Sequence, residues 1–412
     1  MTLSRRRFGA CALGGLAAAA ASSSQADDRC RDSETAPPYH SSVGWPLGEN
    51  GVLWGAHLEG ETVYDSAVIA ALAKEKPKTL VIGSGLKFDN LHPLSIACRR
   101  EYDGKFYSTW AEPDDMAALA DRLGADLRGD ALIWNDWLPS WITDLARDRP
   151  RNWREQLQGA FEQHLRDVFG HFKGREGAKL RWCGLVNEPF EAWSLEAGNA
   201  PWRQGAWFDA FDPGPKGTPG YIHKAFEIAA SCAGETALFL NEANCENDRF
   251  GPKLRPALLA LVAELKQAGR RIDAVGLESH LMPQWMANPL RPDWRPFRKF
   301  LDDLAALDVK IYITELDVLD CAASGVAARD QLVADYFRSF VAAALEQPAT
   351  VMVTNWDFSD NYSWLREDLA NLAEWTQCGR KLACPRPTPY DQALAPKLAR
   401  DALGRSLAVR RN

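Results

Sequence analysis

The 412 residues contain no Cys-x-x-Cys pair, so the sequence signal for a zinc knuckle or a thioredoxin-type redox centre is missing. No Gly-x-Gly-x-x-Gly follows the first apolar run, which removes the dinucleotide fingerprint of a doubly wound sheet. An extended basic block is also absent. The 48 Lys and Arg are outweighed by 55 Asp and Glu, for a net charge of -7, and an acidic chain without clustered cations is no partner for nucleic acid. Gly (30) and Pro (24) are too few for collagen-like or low-complexity sequence. No apolar run reaches the ~20 residues that a transmembrane helix requires. What these absences leave is a folded globular chain, 46% hydrophobic and 25% charged.

What the chain has in surplus is tryptophan, 16 residues of it. Large amphipathic rings belong to cores and to binding faces, and a surplus suits a ligand with flat apolar faces, as sugars have. The start of the chain has the pattern of an address. Ser4-Arg5-Arg6-Arg7-Phe8 precedes a weakly hydrophobic, uncharged run from Gly9 to Ala21, and Ser24-Gln25-Ala26 offers small residues before Asp27. Residues 1–26 are therefore expected to be a twin-arginine export signal, which places the mature chain in the periplasm or outside the cell, with no membrane contact once the signal is removed. Of nine cysteines, eight lie beyond this segment. An even number permits disulfides in an oxidising compartment, though spacing does not give their connectivity. Cys378 and Cys384 are close enough to close a small loop, and Cys183, in an apolar run, is expected in the core.

From about residue 50, short β-branched and aromatic runs recur at 52–58, 79–83, 131–136, 180–188, 237–243, 274–280, 310–317 and 350–357. Stretches of helical periodicity separate them, among them 114–123, 153–172, 254–268 and 329–345. Eight buried-type strands alternating with helices predict parallel strands joined by crossovers, and eight is the number that closes a (β/α)8 barrel. A single barrel domain over 51–405 is expected, with 27–50 as a leader and the basic tail from Arg405 as a frayed end.

The strand ends are polar where the interiors are apolar: Ser84, Asp136, Asn187-Glu188, Asn241-Glu242, Glu278-Ser279-His280, Glu315 with Asp317, and Trp356-Asp357. In a barrel all these ends reach one face, where the active site lies. Two strand-end glutamates suit glycosidic bond cleavage. That reaction needs one carboxylic acid to protonate the leaving oxygen and one carboxylate to attack carbon or activate water. Glu188 and Glu315 are the pair chosen here. Asn187 is placed to bond a sugar hydroxyl, and His280 with Asp317 to orient the second glutamate.

In order along the chain, these segments resemble glycoside hydrolase family 10, the endo-β-1,4-xylanases. Arg128-Gly129, Leu132-Ile133-Trp134 and Leu138-Pro139-Ser140-Trp141 look like the family's strand-3 region. Val186-Asn187-Glu188-Pro189 resembles its acid/base motif, Gly276-Leu277-Glu278-Ser279-His280 its strand-6 motif, and Ile313-Thr314-Glu315-Leu316-Asp317 its nucleophile motif. Trp356 and Ser359–Leu365 resemble its strand-8 aromatic clamp. The resemblance implies a (β/α)8 barrel acting with retention, Glu188 as acid/base, Glu315 as nucleophile ~5.5 Å away, Asn187 at the 2-hydroxyl, and His280 holding Glu315. It implies a polysaccharide substrate. No metal or organic cofactor is expected, and the chain is expected to act as a monomer.

The departures lie on the non-reducing side of the cut. Where the family has Glu-Asn-Glu-Met-Lys-Trp after strand 2, this chain has Gly83-Ser84-Gly85-Leu86-Lys87-Phe88. The family's histidine after Arg-Gly is Asp130, its Trp-His-x-Gln is Trp134-Asn135-Asp136-Trp137, and its Gln before Ser-His is Glu278. Replacing donors that grip hydroxyls changes substrate preference more than reaction type. Glu278, as a third carboxylate, is expected to help keep Glu188 protonated. Trp134, Trp137, Trp356 and Trp364 are the candidates for stacking on sugars, and Lys87 for reaching a hydroxyl. Trp193, Trp202 and Trp207 are either leaving-side subsites or loop packing. An endo-1,4-β-xylanase is the leading reading, and the same chemistry on another β-glycan or a bacterial exopolysaccharide is the alternative. A non-catalytic carbohydrate-binding barrel ranks last, because both glutamates, Asn187 and His280 are all kept.

Overall fold

The computed structural model describes residues 39–58, 60–93, 110–367 and 384–408. Eight parallel strands are β1 (Leu53–Leu58), β2 (Thr79–Ile82), β3 (Asp126–Gly129), β4 (Leu180–Asn187), β5 (Ala237–Glu242), β6 (Ala274–Leu277), β7 (Lys310–Val318) and β8 (Thr350–Asn355). Each pairs with the next, β6 continues onto β7 at Val275 and Ile311, and Trp54 of β1 meets Val353 of β8. The sheet is therefore closed, and helices cover its outside. This is the (β/α)8 barrel that the alternation predicted. Ser66–Glu75, Trp153–Phe172, Gly251–Gln267 and Val326–Leu345 are among the covering helices. Among the described residues no helix is long and apolar enough to cross a membrane.

Strand burial is nearly continuous, as expected when one face packs on helices and the other fills the barrel. The inner layer contains Phe239, Ala274, Tyr312 and Met352. Two polar side chains inside find partners across the barrel: Trp54 donates its indole N–H to Asn355 Oδ1 at 3.0 Å, and Arg128, fully buried, donates to the Thr314 carbonyl at 2.7 Å. Two glycines make room there. A Cβ on Gly184 would lie 2.3 Å from Asp130 Oδ1, and one on Gly276 2.2 Å from Asn241 Oδ1.

Three sequence expectations need correction. The third strand is Asp126–Gly129, not 131–136. Its charges hide it from an apolar-run search, yet each is matched: Asp126 accepts from the Lys179 N–H at 2.8 Å, and Arg128 lies within the barrel. The 131–136 run follows a cis Asp130–Ala131 peptide and climbs the rim, where Ile133 bridges to Val186 of β4. The segment called a leader is docked from residue 39 onward. Val43 and Leu47 are buried, and Arg400 donates to the Val43 and Trp45 carbonyls at 2.8 and 2.7 Å. The tail is helical over Leu398–Leu407, and Arg405 within it donates to Ser42 Oγ at 2.6 Å. Cys183 is buried in the core as expected, and Cys321 and Cys384 are disulfide-bonded. Cys378, proposed to close a loop with Cys384, lies outside the described residues, as do residues 1–38.

Candidate active site

At the carboxyl ends of the strands lies a cavity of about 710 Å³. Glu188, the first residue past β4, has φ 42°, a left-handed conformation that costs a non-glycine residue energy and clusters at functional sites. Its backbone N–H donates to the Asn241 carbonyl at 3.0 Å, which fixes the turn. Glu315 stands within β7, and its N–H donates to the Glu278 carbonyl at 2.8 Å. Both side chains line the cavity, together with Lys87, Asp130, Trp134, Trp137, Asn187, Glu278, His280, Trp356 and Trp364. Of the catalytic, supporting and sugar-contacting residues chosen from sequence, Asp317 is off the wall. It lies behind His280.

The hydrogen bonds divide the carboxylates. His280 Nδ1 pairs with Asp317 Oδ1 at 2.9 Å, and its Nε2 with Glu315 Oε2 at 3.2 Å. Trp364 Nε1 donates to the other Asp317 oxygen at 2.7 Å. Burial alone would discharge His280, but Asp317 and Glu315 outweigh it and hold the imidazolium well above its ordinary pKa. Burial likewise pushes Glu315 up. The bond to His280 and the charges of His280, Arg128 and His57 more than reverse that, so its pKa is lowered. Glu188 moves the other way. Burial raises it, Glu315 and Asp136 add to the rise, and Arg203 and the Trp134 N–H oppose it. One carboxyl is thus held towards the acid and the other towards the anion, which is the division that acid-assisted displacement at carbon requires.

Asn241, at the end of β5, ties the group together. Its amide donates to Asn187 Oδ1 at 2.9 Å, Glu315 Oε1 at 2.9 Å and Glu278 Oε1 at 3.2 Å, while its oxygen accepts from Thr314 at 2.7 Å. Ligand-type atoms of Glu278, His280 and Glu315 lie within 4.8 Å of one another, a metal-capable spacing. Both nitrogens of His280 are already engaged by carboxylates, so the set works as a hydrogen-bond relay.

Several expectations change in detail. Glu278 acts on both Glu188 and Glu315 and is acted on by them. Its own pKa is pushed well above the usual range, by burial first and then by Glu315 and Glu188. Asp130, also buried, is pushed up to about 7, Arg128 at 3.4 Å opposing the shift. Trp134, chosen for stacking, donates its indole N–H to Glu188 Oε2 at 3.0 Å. Trp356 stacks its ring on His57 at 3.7 Å. The Lys87 ammonium lies over the Trp137 ring at 4.2 Å, and that indole is 51% exposed. Of the leaving-side tryptophans, Trp193 lines the cavity, Trp202 stacks on Phe190 at 4.8 Å, and Trp207 is fully buried packing. Sequence reasoning passed over Arg203 and named Asn241 only as a polar strand end, without a role. Arg203 sits in a loop without pattern, whereas Asn241 was visible as a polar residue ending an apolar strand.

A family model described as Glycosyl hydrolase family 10 matches residues 47–405. Endo-1,4-beta-xylanase A of Phanerodontia chrysosporium is 27% identical over 351 residues, 84% of this chain and 75% of that protein. Endo-1,4-beta-xylanase C of the same fungus is 30% identical over 291 residues, 71% of this chain and 62% of that one. Among solved structures, xylanase 10B of Thermotoga petrophila in complex with xylobiose superposes with a TM-score of 0.71 at 21% identity, covering 92% of this chain and 100% of that one.

Proposed function

The chain belongs to glycosyl hydrolase family 10, and from that premise we propose that this glycoside hydrolase cleaves internal β-1,4 linkages of xylan with retention of configuration. The observation that carries the reading is the opposed proton affinity of Glu188 and Glu315 across one cavity. Glu188 donates its proton to the glycosidic oxygen as the bond to the anomeric carbon breaks. Glu315 attacks that carbon and forms a glycosyl ester, while the leaving sugar departs as an alcohol. Glu188, now ionised, takes a proton from water, whose oxygen displaces Glu315 and restores both groups. Asn187 supports the sugar's 2-hydroxyl, and His280 keeps Glu315 ionised.

Reducing-sugar release from glucuronoxylan, arabinoxylan, mixed-linkage glucan and a bacterial exopolysaccharide tests the substrate. Xylan is expected to be cleaved by the mature protein and left intact by Glu315→Ala. Proton NMR of the first products should show the β-anomer, and an α-anomer would remove Glu315 from its role.

A second substrate reading is favoured by one feature. A Cβ on Gly83 would lie 2.1 Å from His57 Nε2, so His57 fills the space where the family resemblance puts a glutamate. With Asp130 and Glu278 also changed, the same chemistry on another β-glycan is the alternative, and release from another polymer with none from xylan would select it.

The reading includes export through the twin-arginine signal. The disulfide-bonded Cys321 and Cys384 support an oxidising destination. Replacing Arg5 and Arg6 by Lys should retain the unprocessed chain in the cytoplasm, as measured by cell fractionation.

A further inference from the structure

Arg203 makes three contacts, each with a carboxylate or a carbonyl on the rim. Its Nη2 lies 3.0 Å from Glu188 Oε2, its Nη1 2.8 Å from Asp136 Oδ2, and its Nε donates to the Glu188 backbone carbonyl at 3.0 Å. The loop that carries it is clipped back on itself. Glu191 N–H donates to the Pro201 carbonyl at 2.8 Å, Arg203 N–H to the Pro189 carbonyl at 2.9 Å, and Phe190 stacks on Trp202. The guanidinium is thus delivered in place by packing that does not involve Glu188 itself.

We infer that Arg203, clamped between Asp136 and Glu188, is a positioning residue that holds the acid/base carboxyl on the leaving-sugar side and, together with Asp136, sets the pH range over which that carboxyl carries its proton. The inference rests on the proposed role of Glu188. It follows from a conflict in the site: a group that must be an acid is pressed against a permanent cation.

The groups facing Glu188 come from every neighbouring strand end. Trp134 and Asp136 come from the rim after β3, Glu242 from β5, Glu278 from beyond β6, and Glu315 from β7. Glu242 and Glu278 are carboxyls that burial, first of all, pushes well above the usual range. The charges that act most strongly on Glu188 are Arg203, Glu315 and Asp136, with His280 and Arg128 balancing Glu315. Arg203 favours the anion, and Asp136 opposes it.

The signs are therefore opposite for the two partners. Hydrolysis requires protonated Glu188, so activity is lost as pH rises through its pKa. Removing the cation with Arg203→Gln raises that pKa and moves the alkaline limb up, by about one pH unit for a charge at this distance. Removing the anion with Asp136→Asn moves the limb down. The Asp136 side chain is 51% exposed, so that shift is smaller and fades in high salt, while the shift caused by Arg203, only 22% exposed, persists. A residue that merely supports the fold gives neither the opposite signs nor the different salt response.

The test is a carbon-13 titration of the Glu188 carboxyl in the full mature chain, assigned by its loss in Glu188→Gln, for wild type, Arg203→Gln, Arg203→Lys and Asp136→Asn. Alongside it, kcat/KM against pH is read on an unactivated xylo-oligosaccharide. Expected are an upward shift in Arg203→Gln, a near wild-type position in Arg203→Lys, which keeps the charge and guards against misfolding of the Gln variant, and a downward shift in Asp136→Asn. An unmoved Glu188 in Arg203→Gln, or Gln and Lys variants that shift equally, overturns the inference. The titration needs no substrate. Failure to cleave any polymer would remove the proposed function, while the position of the Glu188 resonance would still decide the role of Arg203.

Discussion

A carboxyl group in water loses its proton near pH 4 whatever its sequence neighbours, so the difference between Glu188 and Glu315 is made entirely by what surrounds them. For Glu315 the dominant favourable partner is the imidazolium of His280, itself fixed by Asp317. His280→Gln removes that charge and raises the Glu315 pKa. A nucleophile must be ionised, so activity is lost as pH falls through its pKa, and the acid limb should move up by about one pH unit or more, read from kcat/KM profiles. The glutamates, His280 and Asp317 were legible because each stands in a short apolar strand that has no other use for charge. Arg203 was not. It approaches from a loop 15 residues beyond Glu188, and nothing local marks a side chain whose partners are set by the tertiary fold.

At the scale of the element, the alternation of apolar runs and helical stretches gave seven strands near their places, and Trp153–Phe172 to the residue. It failed at β3 because Asp126 and Arg128 break the apolar pattern, and the charges become acceptable only once β4 and β7 stand beside them. The helix at Leu398–Leu407 was missed for a related reason. Its arginines suggest a solvated end, yet Arg400 is buried against Glu75 with contacts of 2.9 and 2.8 Å. Strand glycines are the complementary signal. Gly276→Ala would drive a methyl group to within 2.2 Å of Asn241 Oδ1 and 2.9 Å of the Phe239 ring. It should cost about 1–3 kcal/mol by urea unfolding. Because Asn241 holds both Glu278 and Glu315, the same change should lower kcat more than it raises KM.

Across the whole molecule, the ion pair of Arg400 with Glu75 joins the beginning and end of the described barrel. Glu75 also accepts from the Leu47 N–H at 2.8 Å and from the Tyr390 hydroxyl. Arg400→Ala leaves that carboxylate buried without its cation and should cost about 3–5 kcal/mol, visible as a lower urea midpoint with an unchanged slope.

Closure of β1 on β8 has a consequence in time as well as in space. A ribosome releases its product from the first residue onward, so β1 waits for its partner until nearly 300 further residues have been made. Until then the sheet is an open ribbon, and Glu188 on β4's end and Glu315 on β7 face no enclosed cavity. Nothing shorter than the full hoop can pair an acid with an anion, so a chain interrupted before β8 should have no fraction of the activity.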